Sequence, residues 1–329
     1  MHLTNGARRN VMPMWIAGRV RLLLAALALV SATVSAAATE VRQVVVNGEP
    51  RSYRLFLPPN LSATPVPVVI ALHGAVQTAA EFETDLGLNR IAQRNRFAVV
   101  YPEGLNRVWD DARPPIMRLG YMVRPGDDVP FLTTVVRRLI AEGIADPNRI
   151  YLAGLSMGGF MATRMACEHA QLFAAVAVIA ATVPEQYRKS CAPRRPLPAL
   201  FMHGTFDPIV PWFGLPMAGA GILSANDAAQ FFADLAGCMV YADSERPSLD
   251  RSAKVEIRRW SICRNNLSVM LYTIPGGGHL PPSAETGRGD TFVSWFLQER
   301  SHAIDAAEEI WTFFRRYRGG SAQHGANAQ

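Results

Sequence analysis

Short, nearly continuous apolar runs alternate along the chain with stretches in which apolar residues recur every three or four positions. The runs Val68–Leu72, Phe97–Tyr101, Ile150–Ala153, Ala174–Ile179, Ala199–Met202 and Leu267–Ile274 hold too few polar positions to be half-solvated. They predict strands covered on both faces. The stretches Pro130–Glu142, Met157–His169 and Ala225–Ala236 predict helices, with Asp128 placed to cap the first and Pro130 in its opening turn. A last helix, from about Asp305 to Tyr317, carries Ile310, Trp311, Phe313 and Phe314 on a face suited to pack on a sheet. Alternation of this kind builds βαβ units, so the fold class is α/β with a mostly parallel central sheet flanked by helices. The opening differs: Val41–Val46 and Tyr53–Leu57, joined at Asn47-Gly48, predict an antiparallel pair. Pro211–Ser224, rich in Gly, Pro and Ala, reads as a loop or small cap. There is no internal repeat, and the length is met by one large domain.

The first residues are of another kind. Arg8, Arg9, Arg19 and Arg21 precede the apolar run Leu22–Val34 and the small residues Ser35-Ala36-Ala37-Ala38. A basic region, a short apolar core and an A-x-A-like site make a secretory signal, with cleavage expected after Ala36 or Ala38. The apolar core is too short to span a bilayer comfortably, and no Cys follows it, so no stable membrane anchor is expected after cleavage. The organisation is then a signal peptide over 1–36, one domain over 37–318 and, from Gly319, a tail without periodicity and expected to be disordered.

Removing the signal changes the charge picture. The formal charge of +6 includes those four arginines and no signal acids, which leaves about +2 on the mature chain. No Lys/Arg cluster with interleaved aromatics supports nucleic-acid binding. Cys167, Cys191, Cys238 and Cys263 are an even count in an exported chain and predict two disulfides. Cys167–Cys191 and Cys238–Cys263 are favoured because each closes a local loop. No Cys-x-x-Cys or paired-His spacing accompanies them, so no metal is expected.

The strongest chemical signal is Ile150-Tyr-Leu-Ala-Gly154-Leu-Ser156-Met-Gly158-Gly159-Phe. An apolar strand runs into G-x-S-x-G and a helical pattern follows, which holds Ser156 on a strained, exposed turn above a sheet. A serine hydroxyl needs a base, and the base an orienting carboxylate. His279, in Pro275-Gly-Gly-Gly-His279-Leu-Pro-Pro, lies just past the last apolar strand, on a loop free to return over the serine. The other histidines weighed, His2, His302 and His324, lie near the chain ends. Asp207, Asp227, Asp234, Asp243 and Asp250 all fall between Ser156 and His279. Asp207 is preferred because Leu200-Phe-Met-His-Gly204-Thr-Phe-Asp207 places it just beyond a strand's carboxyl end, where α/β sheets assemble sites. Asp227 and Asp234 fall on a helical pattern and read as solvated. The oxyanion of such chemistry needs two backbone N–H groups, expected from Met157 and, after Val68–Leu72, from Ala75. His73 reads as a structural hydrogen-bonding residue, and Trp109 as either a pocket wall or core.

Leu72-His-Gly74, Tyr101-Pro-Glu-Gly104, Asp127-Asp128-Val129, Arg149-Ile-Tyr-Leu-Ala-Gly-Leu-Ser156-Met-Gly-Gly, His203-Gly-Thr-Phe-Asp207 and Gly276-Gly-Gly-His279 occur in this order. Together, over roughly residues 40 to 317, they resemble the polyhydroxybutyrate depolymerase-like esterases, relatives of the feruloyl and acetylxylan esterases of carbohydrate esterase family 1. The resemblance implies the α/β-hydrolase fold and an exported serine esterase acting without cofactor on polyester, hydroxycinnamoyl or acetyl esters. It also supports the local cysteine pairing. The chain departs from the family twice: His279 is followed by Leu280-Pro281-Pro282 rather than x-Trp-Pro-Gly, and Val-Pro-Tyr becomes Val210-Pro211-Trp212. Trp212, Leu280 and Trp109 are therefore the candidates for the substrate pocket. The same triad order also serves serine peptidases, but those often add a propeller domain for which there is no room. A binding protein with a dead site is disfavoured because each triad position is filled.

Overall fold

The hairpin forms at the predicted place. Strands β1 (Thr39–Val46) and β2 (Glu49–Phe56) pair antiparallel about Asn47 and Gly48. Both turn residues have positive φ, 52° and 83°, as a tight turn between twisted strands demands. The rest of the computed structural model alternates strands and helices. In chain order these are β3 (Val66–Leu72), α1 (Ala79–Leu86), α2 (Leu88–Asn95), β4 (Ala98–Pro102), α3 (Asp128–Ala141), β5 (Ala145–Leu155), α4 (Met157–Glu168) and β6 (Ala175–Ile179). Then come α5 (Tyr187–Ser190), β7 (Ala199–Gly204), α6 (Ala225–Ala236), β8 (Val240–Pro247), β9 (Lys254–Ser261), β10 (Val269–Ile274) and α7 (Ala306–Phe314). The structure describes residues 1–2, 39–59, 61, 65–114, 128–217, 220–249, 251, 254–285 and 300–319. The expected signal peptide and its cleavage site, Asp127, Asp250 and the tail from residue 320 lie outside them.

Among the described residues one sheet takes the order β1-β2-β4-β3-β5-β6-β7-β10-β9-β8. The six strands from β4 to β10 in that order are parallel, with antiparallel pairs added at both edges. The apolar runs explain the centre. In β3, Val68, Ile70 and Leu72 face one core with Phe131 of α3 and Phe160 of α4. Val69 and Ala71 face the other, with Phe82 of α1, Ile91 of α2 and Trp311 of α7. Both faces are thus covered, at about 1.5–3 kcal/mol for each large side chain buried. In the second core Trp311 stacks on Phe97 at 4.0 Å and Phe314 on Tyr151 at 4.9 Å, so α7 seats its aromatic stripe as predicted.

Two features have no counterpart in the pattern of apolar runs. Helices α1 and α2 are only eight residues each and share Gly87 as a left-handed joint. Their signal is local: Thr78 and Glu81 form a reciprocal capping box at the start of α1. The hairpin β8–β9 extends the sheet edge with strands whose side chains are largely exposed. Cross-strand ion pairs, Arg258 with Asp243 at 2.7 Å and Lys254 with Glu245 at 2.8 Å, replace an apolar face. Gly319, expected to open the tail, is tied to the domain: its amide donates to Asn148 O at 2.7 Å.

Disulfides join Cys167 to Cys191 and Cys238 to Cys263, the local pairing favoured above. The first ties the end of α4 to the end of α5; the second ties the segment after α6 to the one after β9. Among the described residues no helix is long and apolar enough to cross a membrane.

Candidate active site

Strand β5 runs into helix α4 with one residue between, Ser156, at φ 54° and ψ −120°. That conformation is costly for a side chain with a Cβ and persists only where neighbours enforce it. Here the Ser156 amide donates to Ile179 O at 2.9 Å, and the start of α4 is pressed against the end of β3. A Cβ on Gly158 would lie 2.3 Å from Leu72 O, so only glycine permits this approach. The turn leaves Ser156 half-buried, above the carboxyl ends of the parallel strands.

Asp207 and His279 arrive on neighbouring loops, after β7 and β10, which are adjacent and parallel. The loops are stitched together. The Thr205 amide donates to Ile274 O at 3.1 Å, that of Phe206 to Gly277 O at 3.0 Å, and that of Gly276 to Thr205 Oγ1 at 2.9 Å. Gly204 makes the crossing possible, since a Cβ there would sit 2.1 Å from Gly277 O. His279 Nδ1 lies 2.9 Å and 2.8 Å from the two carboxylate oxygens of Asp207, and its Nε2 lies 2.8 Å from Ser156 Oγ. With Nδ1–H donating to the carboxylate, Nε2 is left to accept from the serine hydroxyl. Asp207 Oδ1 also accepts the amides of Ile209 and Val210, each at 2.9 Å. Burial pushes the Asp207 carboxyl up, but hydrogen bonds from His203 and His279 outweigh it and hold the group well below the usual carboxylate range. The competing acids lie elsewhere: Asp227 and Asp234 are exposed on α6, and Asp243 is exposed and ion-paired on β8.

The loop after β3 runs beside the serine, where a Cβ on Gly74 would be 3.5 Å from Ser156 Cβ. Buried His73 locks this loop. Its Nε2 accepts the Gly104 amide at 2.9 Å, so Nδ1 carries the proton and donates to Gly74 O at 2.7 Å. Burial lowers the His73 pKa to about 4, which keeps the ring neutral in this role at neutral pH. Holding Gly74 O toward His73 turns the N–H of Ala75, on the opposite side of the same planar peptide, away from that ring. The neighbouring amides are taken: Gly74 donates to Gln77 Oε1 at 3.1 Å and Val76 to Arg107 O at 2.8 Å. Among the described residues no acceptor takes the Ala75 amide. The Met157 amide, first in α4, lies at a helix N-terminus, where partial positive charge favours an anion.

The pocket-wall expectation for Trp109 is not met. Its side chain is fully buried, and the indole Nε1–H, needing a partner once buried, donates to His73 O at 2.9 Å. Trp109 therefore supports the Gly74–Ala75 loop from beneath. A buried ionic layer that sequence reasoning missed lies next to it. Asp128 accepts from Arg51 at 2.7 Å and from the Asp110 amide at 2.6 Å, and Arg113 pairs with Asp111 at 2.7 Å. Asp128, expected as a helix cap, thus anchors the segment around residue 110 instead. Leu280 is half-buried next to His279, and half-buried Trp212 packs edge-on against His203 at 5.8 Å. Also missed were five exposed apolar side chains on the two loops that bear Ala75 and Asp207: Val76, Phe206, Ile209, Phe213 and Met217. Single loop residues of this kind carry no periodic signal.

Comparison with known proteins identifies the family. Residues 51–192 match the family described as esterase PHB depolymerase. "Putative esterase NocK" of Nocardia uniformis subsp. tsuyamanensis is 33% identical over 268 residues, covering 76% of each chain. Feruloyl esterase B of Piromyces equi is 26% identical over 67% of this chain, which spans only 41% of that protein's length. Among solved structures, acetyl xylan esterase from Aspergillus awamori superposes with a TM-score of 0.54 at 17% identity. That match covers 78% of this chain and 98% of the other, a likeness of fold. This chain belongs to the PHB depolymerase esterase family, carboxylic ester hydrolases built on the α/β-hydrolase fold.

Proposed function

We propose that the protein is an exported serine esterase in which Ser156, His279 and Asp207 act as a catalytic triad through an acyl-enzyme. The observation that carries this reading is the continuous chain Ser156 Oγ, His279 Nε2, His279 Nδ1, Asp207, with every link at 2.8–2.9 Å. His279 takes the hydroxyl proton as Ser156 Oγ attacks the ester carbonyl. The tetrahedral oxyanion is met by the amides of Met157 and Ala75, and Asp207 stabilises the imidazolium. His279 then protonates the departing alkoxide, leaving an acyl-serine. Water, deprotonated by the same imidazole, attacks that acyl group, and the acid is released as the serine regains its proton.

The substrates proposed are hydroxyalkanoate, feruloyl or acetyl esters, the chemistries of the family and its named relatives. Leu280, Trp212 and the exposed apolar residues Val76, Phe206, Ile209 and Phe213 are proposed to meet the acyl group or an apolar ester surface. Export is supported by the signal-like N-terminus and by two disulfides, which persist in oxidising compartments. The test is a panel of methyl ferulate, acetylated xylan and hydroxybutyrate oligomers, run against a peptide amide. At least one ester is expected to turn over and the amide not. Cleavage of the amide alone would overturn the reading.

A further inference from the structure

The triad carboxylate has an unequal environment. Asp207 Oδ1 accepts two backbone amides besides His279, whereas Oδ2 receives no backbone amide among the described residues. Facing Oδ2 is a second imidazole. His203, on β7, is 1% exposed, and its Nε2 lies 2.8 Å from Val210 O and 3.4 Å from Asp207 Oδ2. Both neighbours can only accept, so Nε2 carries the proton and the tautomer is fixed. Nδ1 is then bare, and it has no partner among the described residues.

We infer that His203 is a positioning residue for the triad acid, its Nε2–H fixing the turn from Asp207 to Val210 and lending positive potential to Oδ2. The inference rests on the triad reading above. Two observations point to more than space-filling. First, Val210 is gripped at both ends: its amide donates to Asp207 Oδ1, and its carbonyl accepts from His203. The imidazole is thereby linked through Val210 to the catalytic carboxylate, with its Nε2 also 3.4 Å from Oδ2. Second, the buried bare Nδ1 is an energetic cost that an apolar residue of similar size would avoid. What the imidazole adds is an N–H that binds Val210 O while lying 3.4 Å from the oxygen that the backbone leaves unserved. Trp212, edge-on against the ring, limits its freedom to turn away.

The polarity of the effect can be worked out. A donor near Oδ2 stabilises the carboxylate and makes it less basic, so it pulls less strongly on the proton of His279. Removing the donor should make Asp207 more basic and tighten its hold on the imidazolium. The acid limb of the rate profile should therefore move to higher pH. The looser turn should slow the chemical step without altering binding.

The experiment compares His203→Leu with His203→Gln, whose side-chain N–H reaches close to the place of Nε2. With a p-nitrophenyl ester, His203→Leu is expected to lower kcat about tenfold with KM nearly unchanged. Its acid limb should rise by roughly half a pH unit, and His203→Gln should restore the limb and most of kcat. If the leucine variant does not fold, His203→Asn, whose shorter amide falls away from Oδ2, takes its place. A folded Leu or Asn variant with kcat and acid limb unchanged would overturn the inference. So would a Gln variant as impaired as Leu. Failure of the triad reading itself is separable: a fluorophosphonate would then label the parent enzyme at a site other than Ser156, whatever the His203 variants do.

Discussion

Replacing Asp207 by Asn removes a charge while keeping the shape, and the hydrogen bonds around the carboxylate say how it will act. Oδ1 is held by two amide donors, Ile209 N–H and Val210 N–H, both at 2.9 Å. The asparagine carbonyl oxygen will take that place, because an NH2 group there would face two donors. Its NH2 must then occupy the position of Oδ2, 2.8 Å from His279 Nδ1. With that NH2 the nearer neighbour of Nδ1, and the carbonyl oxygen at 2.9 Å already held by two amides, the proton shifts to Nε2, the nitrogen that has to receive the proton of Ser156. The wrong tautomer is expected to lower kcat on the order of ten-thousand-fold, or about 5.5 kcal/mol of transition-state stabilisation. KM should change little. The assay is steady-state hydrolysis of a p-nitrophenyl ester, with circular dichroism to confirm an unchanged fold. Asp227→Asn and Asp234→Asn, both on the exposed face of α6, serve as controls and should alter rate by less than about threefold. Severe loss from either control, with Asp207→Asn nearly active, would refute this reasoning.

Other expectations follow from the surroundings of the site. The Asp207 carboxyl titrates well below its ordinary range, so it stays charged throughout the working range, and its contribution to stability is lost only in strong acid. The acid limb of kcat/KM should accordingly fall with unit slope, with no second ionisation from Asp207; a slope of two would contradict this. Burial lowers the His73 pKa to about 4 from its ordinary 6.5, so the unfolded chain binds that proton first. Stability should therefore fall by up to ~3 kcal/mol as pH drops from about 6.5 to 4. Urea unfolding of His73→Asn should show a shallower dependence over that interval. Asp128→Ala would strand Arg51, which is 2% exposed and has Nε and Nη1 without partners among the described residues. The expected cost is about 3–5 kcal/mol, largely recovered in the double variant with Arg51→Met; a loss below about 1 kcal/mol would refute the pairing.

The parallel centre was legible because strands buried on both faces cannot tolerate polar residues, so Val68–Leu72 and Ala199–Met202 stand out as unbroken apolar runs. Ser156, Asp207 and His279 were legible for a related reason. Each follows directly on such a run, and Gly158 and Gly204 mark the places where backbones cross too closely for any side chain. The edges were not. Strands β8 and β9 are stabilised by charge pairs between residues nine and fifteen positions apart, and a sequence scan sees only a solvated segment. The buried pair Arg51–Asp128 spans 77 positions and has no local signature. Trp109 was ambiguous because an indole serves equally well in a core or a pocket. What decided it was the carbonyl of His73 placed to accept its N–H, a contact only the fold creates.

Ser156, with His279 Nε2 at 2.8 Å, is proposed to form an acyl-enzyme. The most direct test of this is covalent: react the parent, Ser156→Ala and His279→Ala with a fluorophosphonate and map the modified peptide by mass spectrometry. A single label is expected on Ser156 in the parent, none in Ser156→Ala, and greatly slowed labelling in His279→Ala. Ester turnover should fall on the order of a million-fold in Ser156→Ala. A label on another serine, or undiminished turnover by Ser156→Ala, would contradict this role for Ser156.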